Sequence, residues 1–324
     1  MRVLVTGGAG YIGSHMVARL RAARHEVLVV DDLSSGHREA VPSDVGFVQV
    51  DVADRIRVAG LLASERVEAI LHFASRIQVG ESVRDPRLHY RGNLGAAISL
   101  LESALDARVG IFILSSTAAV YGDPIRLPID EDHPTQPVNP YGDTKLAIER
   151  MLASYARAYG IRYAALRYFN AAGADVARGL GERHHPETHL IPIVIEAALG
   201  QRDRVEVFGT DYDTPDGTCI RDYIHVVDLC EAHLAALEYL KAGGDSGAFN
   251  LGTGRGHSVE DVIAVARRVT QRTIPVAYGP RRQGDPPRLV ASASWAERAF
   301  GWRAQRPTLD EIVTDAWRFH SQGR

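Results

Sequence analysis

The first thirteen residues, Met1 to Gly13, constrain the fold of this chain more than any other stretch. Val3 to Val5 form an apolar run that is typical of a buried parallel strand, and a helical pattern begins at Tyr11. Glycines stand between and within these two patterns. The first permits a tight turn, the second lets the backbone approach a pyrophosphate, and the third lets helix and strand pack closely. The stretch therefore predicts a dinucleotide-binding turn at a helix N-terminus, with these cofactor contacts: Gly7, Gly10, Tyr11, Ile12 and Gly13.

An acid after the second predicted strand indicates which dinucleotide binds. Glu26 to Val30 has the pattern of a strand, and Asp31 follows it about 20 residues after the glycine turn. A carboxylate at this place accepts hydrogen bonds from the adenosine ribose and repels a 2′-phosphate. We therefore expect NAD rather than NADP, although Asp31 could instead be a helix N-cap or a turn acid.

Strand and helix patterns alternate as far as residue 170, which predicts a Rossmann-type doubly wound parallel sheet with helices on both faces. Further strands are expected at 45–50, 69–73, 109–114 and 162–168, and helices at 54–64, 86–107 and 141–158. In such sheets the ligand lies at the carboxyl ends of the strands. The residues that follow the third and fourth strands are therefore expected to contact the cofactor: Asp51, Val52, Phe73, Ala74 and Ser75.

After residue 170 the pattern changes to a loop rich in glycine, histidine and charge, followed by shorter elements. Helices are expected at 190–199, 226–241, 258–271 and 308–320, and strands at 205–208, 248–251 and 274–278. We assign residues 1–170 to an NAD-binding Rossmann domain and 171–324 mainly to a smaller mixed α/β substrate-binding lobe. Some later segments are free to return to the sheet.

Composition argues against several classes of protein. The formal net charge of -3 disfavours general nucleic-acid binding. No apolar run reaches the roughly 18 residues that span a bilayer, and the N-terminal strand lacks the cleavage region of a signal peptide. The two cysteines, Cys219 and Cys230, fit neither a metal-site spacing nor a disulfide framework, so no metal site is expected. We expect a cytoplasmic protein with reduced thiols and no membrane or nucleic-acid partner.

A tyrosine and a lysine on one predicted helix carry the chemistry. Tyr141 and Lys145 are four residues apart and share a helix face. An unperturbed tyrosine titrates at about pH 10, and neighbouring ammonium and nicotinamide charges lower that pKa. Tyr141 is therefore a candidate general acid or base with Lys145 as its electrostatic partner. Such pairs also occur by chance on helix surfaces; this one gains specificity from the glycine turn and from the hydroxyl of Thr117 after the fifth strand.

The combination of these motifs resembles the extended short-chain dehydrogenase/reductase family. The resemblance is carried by residues 6–13, by Ser115-Ser116-Thr117 and by Tyr141-x-x-x-Lys145. Within that family the chain resembles the UDP-glucose 4-epimerases (UDP-galactose 4-epimerases) through segments spread over nearly its full length: His72-Phe73-Ala74, Val79-Gly80-Glu81-Ser82, Val120-Tyr121-Gly122-Asp123 and the stretches 166–173, 221–226 and 281–285.

The resemblance implies NAD-dependent 4-epimerisation of UDP-hexoses through a transient 4-keto intermediate, with no net redox change. It implies that Tyr141 removes the proton of the 4-hydroxyl, that Thr117 hydrogen-bonds the reacting oxygen, and that Lys145 also holds the nicotinamide ribose. It adds further cofactor contacts: Asn93, Ser115 and Tyr168, besides Tyr141 and Lys145. A homodimer through helices near 90–107 and 143–159 is implied as well.

The same resemblance implies a UDP-sugar site that is built mainly by the second lobe. Arg221 and Arg282 suit the diphosphate, because a guanidinium fork matches phosphate oxygens, and Asp285 suits the uridine ribose. The full set of expected substrate contacts is Thr117, Tyr141, Asn170, His189, Leu190, Phe208, Arg221, Arg282, Asp285 and Leu289.

Three positions depart from the family pattern. Ile77 stands where members have a lysine that contacts the cofactor, and His189 stands at a position often taken by asparagine. Leu289 stands where a bulky tyrosine closes the sugar pocket in glucose-restricted members. The smaller side chain leaves space, so we expect UDP-N-acetylhexosamines as additional substrates.

Other functions remain as alternatives. A UDP-pentose or UDP-uronate 4-epimerase would differ only in the sugar pocket. Dehydratases and decarboxylases on this fold resemble one another in having an acid soon after the threonine. This chain has Ala118 and Ala119 at those positions, so dehydration would lack its general acid. A non-catalytic NAD sensor would have a broken Tyr/Lys/Thr set, and a net oxidoreductase would need an exchangeable cofactor.

Overall fold

A parallel sheet of seven strands forms the centre of the computed structural model, which describes residues 1–282 and 285–322. The strands, in chain order, are β1 (Arg2–Thr6), β2 (Glu26–Asp31), β3 (Gly46–Gln49), β4 (Ala69–His72), β5 (Ile111–Thr117), β6 (Arg162–Tyr168), β7 (Asn170–Ala172), β8 (Val205–Phe208), β9 (Ile220–His225), β10 (Gly247–Leu251), β11 (Gly256–Ser258), β12 (Val276–Gly279) and β13 (Arg288–Leu289). The order across the central sheet is β3-β2-β1-β4-β5-β6-β10. The order reverses between β1 and β4, where doubly wound sheets bind their ligand. The predicted Rossmann-type fold is confirmed.

Helices cover both faces of this sheet. They are α1 (Tyr11–Ala22), α2 (Arg55–Ser64), α3 (Val79–Arg84), α4 (Pro86–His89), α5 (Ala96–Asp106), α6 (Pro140–Tyr159), α7 (Leu190–Ala198), α8 (Val226–Lys241), α9 (Val259–Thr270), α10 (Ser294–Phe300) and α11 (Leu309–Gln322). Side chains alternate along β1, so Val3 and Val5 pack with α1 and α8, while Leu4 packs with α2, α5 and α6. Within the described ranges, no helix is long and apolar enough to cross a bilayer.

The helix expected over 86–107 has an irregular middle. It consists of α4, a π-helical turn at Tyr90–Gly95, and α5. A π-helical turn adds a residue to the helical repeat and therefore redirects the side chains within it. Asn93 lies in this turn and is buried, so the turn fixes where its amide points.

The smaller lobe follows β6 and contains two small sheets. One has the order β11-β9-β13, with β7 also paired to β9, and the other pairs β8 with β12. They share an apolar core with α7, α9 and α11. Two later elements lie on the Rossmann sheet instead: β10 pairs in parallel with β6, and α8 packs against α1. The sequence pattern predicted β10 and α8 but not that they lie on the Rossmann sheet, because an apolar strand pairs equally well with any exposed sheet edge. The short elements α3, α10, β7, β9, β11 and β13 were missed.

Candidate active site

The glycine turn between β1 and α1 is packed backbone against backbone. Gly7 has a φ of +70°, and a Cβ on it would lie 2.5 Å from the Ala74 nitrogen. A Cβ on Gly13 would clash with the Gly7 carbonyl. The N-terminus of α1 has no side-chain cap and no acid in its first turn. The N–H groups of that first turn thus stay available for an anion, as the sequence predicts for a pyrophosphate.

Asp31 lies beside this turn at the end of β2. Its Oδ2 accepts a hydrogen bond from the Ala9 nitrogen at 2.9 Å, and its Oδ1 accepts one from the Leu33 nitrogen at 2.9 Å. Burial raises the pKa of this carboxyl, and the two backbone bonds oppose that rise. Each carboxylate oxygen keeps a further lone pair for a ribose hydroxyl. Asp31 therefore braces the turn while it remains able to bind the adenosine ribose.

The predicted contacts at the other strand ends lie along the same edge of the sheet. Phe73 and Ala74 follow β4 directly, and their nitrogens bond the Thr6 carbonyl at 3.0 and 3.2 Å. Asp51 and Val52 come after β3, where the Val50 nitrogen bonds the Asp31 carbonyl. The structure thus brings the ends of β1, β2, β3 and β4 together around the glycine turn.

The Asn93 side chain forms hydrogen bonds with other residues of the protein. Its Oδ1 accepts a hydrogen bond from the Arg76 nitrogen at 2.8 Å. Its Nδ2 donates to the Arg76 carbonyl at 3.0 Å and to Thr144 Oγ1 at 3.2 Å. Asn93 therefore fixes the backbone that follows Ser75 at the end of β4. Its direct contact with the cofactor stays a prediction, as does that of Ser75.

The three predicted catalytic residues meet where β5 ends and α6 begins. Asn139 caps α6 by accepting a hydrogen bond from the Gly142 nitrogen at 2.9 Å, and this fixes the first turn of the helix. Tyr141 in that turn lies beside Thr117, whose side chain interacts with its hydroxyl and lowers its pKa. Lys145, one turn later, is buried and donates from Nζ to the Ser115 carbonyl at 2.9 Å.

Burial perturbs both ionisable groups of this set. It raises the pKa of Tyr141 to about 12, although the interaction with the Thr117 side chain opposes the rise. It lowers the pKa of Lys145 to about 7, against the attraction of the Glu149 carboxylate. Burial also raises the pKa of Tyr168, whose hydroxyl hydrogen-bonds the Ser115 side chain. Groups with shifted pKa values gathered at the end of a central strand are typical of a catalytic site.

A buried polar network behind Lys145 was missed by the sequence analysis. Glu149, one turn after Lys145, pairs with Arg167 at 2.6 Å and accepts a hydrogen bond from Ser116 at 2.5 Å. Arg167 also donates to the Tyr121 hydroxyl at 3.0 Å. The spacing 141, 145, 149 along one helix face was the available signal, because a third polar residue on the buried face of a helix needs a partner.

The predicted substrate residues of the second lobe form a second cluster. Arg282 donates to Asp285 from Nε at 2.8 Å, and Arg221 lies 3.4 Å from the same carboxylate. The Arg282 guanidinium also lies over the Phe208 ring, 5.7 Å from its centroid. Leu289 is paired in register with Arg221. Two further residues of the segment 281–285, Gln283 and Gly284, lie outside the described residues.

Leu289 connects this cluster to the predicted catalytic residues. It packs against a small buried cluster that includes Ala118 and Leu146. Ala118 directly follows Thr117, and Leu146 directly follows Lys145. The second lobe thus comes into contact with the Rossmann sheet next to the catalytic set, which is where a sugar attached to a nucleotide could react.

Asn170 and His189 lie on other elements of the second lobe. Asn170 begins β7, in register with Tyr223 of β9. His189 is the residue that precedes α7 and Leu190. Burial disfavours charge on His189, but the Glu182 and Glu187 carboxylates raise its pKa to about 10. Its Nδ1 lies 2.8 Å from Glu182. A cationic imidazole suits a diphosphate, and the two acids around it were not predicted.

Comparisons with known proteins show the family to which this chain belongs. The sequence model of the NAD dependent epimerase/dehydratase family matches residues 3–252. A UDP-glucose 4-epimerase of Halalkalibacterium halodurans is 49% identical over 322 residues, covering 99% of this chain and 96% of that protein. The crystal structure of a UDP-glucose 4-epimerase from Brucella ovis in complex with NAD has a TM-score of 0.95 at 49% identity, covering 98% of this chain and 97% of that one.

A third similar protein was crystallised with a sugar nucleotide. It is a UDP-glucose-4-epimerase from Stenotrophomonas maltophila with bound NAD and formylated UDP-arabinopyranose. The TM-score is 0.95 at 39% identity, and the alignment covers 100% of both chains.

Proposed function

Because the chain belongs to the NAD dependent epimerase/dehydratase family, we propose that it is an isomerase that epimerises UDP-hexoses at C4 and keeps its NAD bound, converting UDP-galactose to UDP-glucose. The observation that carries the proposal is the meeting of Thr117 at the end of β5 with Tyr141 in the first turn of α6, and with the buried amine of Lys145 one turn later. Ala118 and Ala119 supply no acid to protonate a leaving hydroxyl, so epimerisation is favoured over dehydration on this fold.

The residues around the glycine turn suit NAD. The uncapped first turn of α1 offers N–H groups to the pyrophosphate, and Asp31 offers free lone pairs to the ribose and negative charge against a 2′-phosphate. Ser115, Tyr168 and Lys145 lie at the end of β5 and around it, where they would hold the nicotinamide half. Bound NAD would supply the hydride acceptor for C4 of the sugar.

Tyr141 and Lys145 move the proton. With a pKa of about 12 Tyr141 is neutral near pH 7, whereas Lys145, with a pKa of about 7, is neutral in about half of the molecules and can then accept a proton. Transfer of the phenol proton towards the amine creates a phenolate and an ammonium, which attract each other strongly at low dielectric. The phenolate then takes the proton of the sugar 4-hydroxyl, while Thr117 hydrogen-bonds the reacting oxygen. A bound positive nicotinamide would lower the pKa of Tyr141 further.

The UDP end of the substrate would be held by the second cluster. Arg221 and Arg282 present guanidinium groups to the diphosphate, and Asp285 keeps both oriented until the nucleotide binds. Binding energy from this remote part of the substrate positions the hexose, which itself stays loosely held and can present either face of C4.

Leu289 supports a wider substrate range. It is only partly buried and contacts the apolar cluster next to Thr117, so its side chain borders the region where the sugar would lie. We extend the proposal to UDP-N-acetylhexosamines, with UDP-pentoses or UDP-uronates as the alternative substrates. Turnover of UDP-GlcNAc compared with UDP-glucose tests the extension, and no detectable UDP-GlcNAc turnover would reject it.

The proposed reaction can be tested without added cofactor. Purified protein is incubated with UDP-galactose, and the anomeric signals of the sugar are followed by NMR. We expect a mixture of UDP-glucose and UDP-galactose with the wild type and with the control variant Tyr163→Phe, but not with Tyr141→Phe. No conversion by the wild type, with or without added NAD, would refute the hexose assignment, and the UDP-pentoses and uronates would be tested next.

We also propose that the enzyme is a cytoplasmic homodimer. Ile98 on α5 and Tyr159 on α6 are 38% and 63% exposed, so these two helices carry apolar side chains that a partner could cover. Cys219 and Cys230 are buried and unpaired, which suits a reducing compartment. Light scattering after size exclusion should give twice the chain mass, and Ile98→Glu should shift it towards one chain. A monomeric wild type would refute the dimer.

A further inference from the structure

The loop before α7 contains a cluster of four potential metal ligands that the proposed reaction does not use as a group. The sequence from 182 to 189 reads Glu-Arg-His-His-Pro-Glu-Thr-His. Each of Glu182, His184, Glu187 and His189 offers one ligand atom, and these atoms all lie within 4.8 Å of one another. The four side chains therefore converge on one point, although their residues are spread along a loop without regular secondary structure.

A cation would stabilise the two negatively charged carboxylates of this cluster. The side chains of Glu182 and Glu187 are 5% and 4% exposed. In the part of the chain that the structure describes, neither carboxylate forms an ion pair with a lysine or an arginine; their partners are His184 and His189. Burying two carboxylates within 4.8 Å of each other destabilises the folded state unless positive charge lies between them.

The histidines point their ring nitrogens at these acids. His189 Nδ1 lies 2.8 Å from Glu182 and 3.1 Å from Glu187. His184 Nδ1 is enclosed by the protein and lies 3.2 and 3.8 Å from the same two carboxylates. The two ring nitrogens and the two carboxylates therefore face one another closely enough to share one cation.

The spacing of these atoms matches a small metal ion. Ligands at zinc–nitrogen and zinc–oxygen distances of about 2.0–2.2 Å in a tetrahedron lie roughly 3.4 Å from one another. The four histidine–carboxylate separations, 2.8 to 3.8 Å, bracket that value, and one ligand atom from each residue can be chosen so that all lie within 4.8 Å of one another. Two imidazoles with two carboxylates favour a divalent transition metal over magnesium or calcium, which prefer oxygen ligands throughout. We propose that Glu182, His184, Glu187 and His189 bind one divalent transition-metal ion, for which zinc is the natural probe.

Such an ion would have a structural role. Four protein ligands close a tetrahedral site and leave no position for a reacting molecule. The loop that it would fix packs against the nucleotide turn: His37 Nε2 lies 3.2 Å from the Arg183 carbonyl, and the Tyr11 hydroxyl donates to the Gly173 carbonyl at 2.7 Å. The ion would thus link this loop, which lies next to the cofactor turn, to the start of α7. Because His189 is also an expected substrate contact, an ion bound through its Nδ1 would leave that ring unable to act as a protonated partner of the diphosphate.

Protons on the histidines are the competing source of positive charge. Protonated rings would balance the acids without any metal, as the raised pKa of His189 illustrates. A metal must displace these protons, so its binding weakens as the pH falls and releases protons when it occurs. This difference makes the proposal testable with the metal alone.

The experiment measures binding of Zn²⁺ and Co²⁺ to chelator-treated, folded protein. Titration calorimetry with ZnCl₂ gives stoichiometry and affinity, and the visible absorption of bound Co²⁺ reports tetrahedral geometry. The test variant is His184→Gln, which removes one ligand. The matched control is His185→Gln, because His185 is the exposed neighbour outside the cluster. Glu187→Gln serves as a second test variant, and circular dichroism establishes that each variant is folded.

We expect one ion per chain in the wild type and in His185→Gln, with a tetrahedral Co²⁺ spectrum and a higher melting temperature in Zn²⁺. Affinity should fall at least tenfold in His184→Gln and in Glu187→Gln. Absence of stoichiometric binding by the wild type would overturn the proposal and leave the histidines protonated. Equal binding by all variants would overturn it too, because the ion would then lie elsewhere. Neither result depends on activity towards UDP-sugars.

Discussion

Raising the pH from 6 to 9 should stabilise the NAD-free protein through one side chain, Lys145. Burial lowers the pKa of this amine from 10.5 to about 7, and the residue as a whole is 2% exposed. Between these two values the unfolded chain binds a proton that the folded chain does not. The free energy of unfolding therefore increases with pH across this window, and below it the folded state bears the full cost of the buried ammonium.

The size of the effect follows from the two pKa values. Each unit of pKa difference is worth about 1.36 kcal/mol. Integrated from pH 6 to pH 9, the difference in bound protons between the unfolded and folded states contributes about 2.7 kcal/mol. The maximum, reached by comparing strongly acidic with strongly alkaline conditions, is roughly 5 kcal/mol.

The chain offers a matched pair of variants for the measurement. It has two lysines, the buried Lys145 and the exposed Lys241. Lys145→Met and Lys241→Met both remove one ammonium and keep an unbranched side chain. Urea unfolding of the three NAD-free proteins at pH 6 and pH 9 gives their free energies of unfolding. All other titrating groups are shared, so they cancel in the differences between proteins.

The wild type should gain about 2.7 kcal/mol relative to Lys145→Met between the two pH values, and Lys241→Met should follow the wild type. A difference between wild type and Lys145→Met that stays constant with pH would refute the reasoning, because Lys145 would then keep its ordinary pKa in the fold. In that case the amine could not take up the phenol proton of Tyr141 near pH 7 in the way proposed above.

Three further substitutions have defined outcomes. Tyr141→Phe should lower kcat for UDP-galactose by about 10²–10⁴-fold while calorimetry shows UDP affinity within about twofold of the wild type. Unchanged turnover would remove Tyr141 from the chemistry. Glu149→Gln should lower the free energy of unfolding by about 3–5 kcal/mol in urea, because it leaves Arg167 buried without its counter-ion. A loss of under about 1 kcal/mol would contradict this role of the ion pair. Gly13→Ala should be purified with little NAD, as read from the absorbance released on denaturation, because its Cβ would clash with the Gly7 carbonyl. Full NAD content would show that the turn can relax.

The sequence by itself determined the parts of this protein that depend on neighbours along the chain. The glycine turn is fixed by strand, glycines and helix within thirteen residues. Tyr141 and Lys145 share a face because a helix repeats every 3.6 residues, and this holds wherever the helix packs. Asp31 directly follows its strand. Its position beside the turn therefore follows from the parallel sheet, which the alternating pattern predicts.

The tertiary structure decided everything that joins distant segments. It placed β10 beside β6, and it brought Asn250 to the Tyr121 hydroxyl, 129 residues away. It also gathered Arg221 and Arg282 on one carboxylate. Periodicity specifies which side of an element is apolar, but the partner of that side depends on packing against the whole chain.

The electrostatic properties of the site likewise came only from the structure. Lys145 and Tyr141 were identified from spacing, yet the extent of burial sets their pKa values, and burial is a property of the assembled fold. The same holds for Glu182 and His189, which are separated by seven positions and meet because the loop before α7 folds back on itself. A sequence gives the chemical groups and their local geometry; desolvation and close approach of charges arise when the chain is packed.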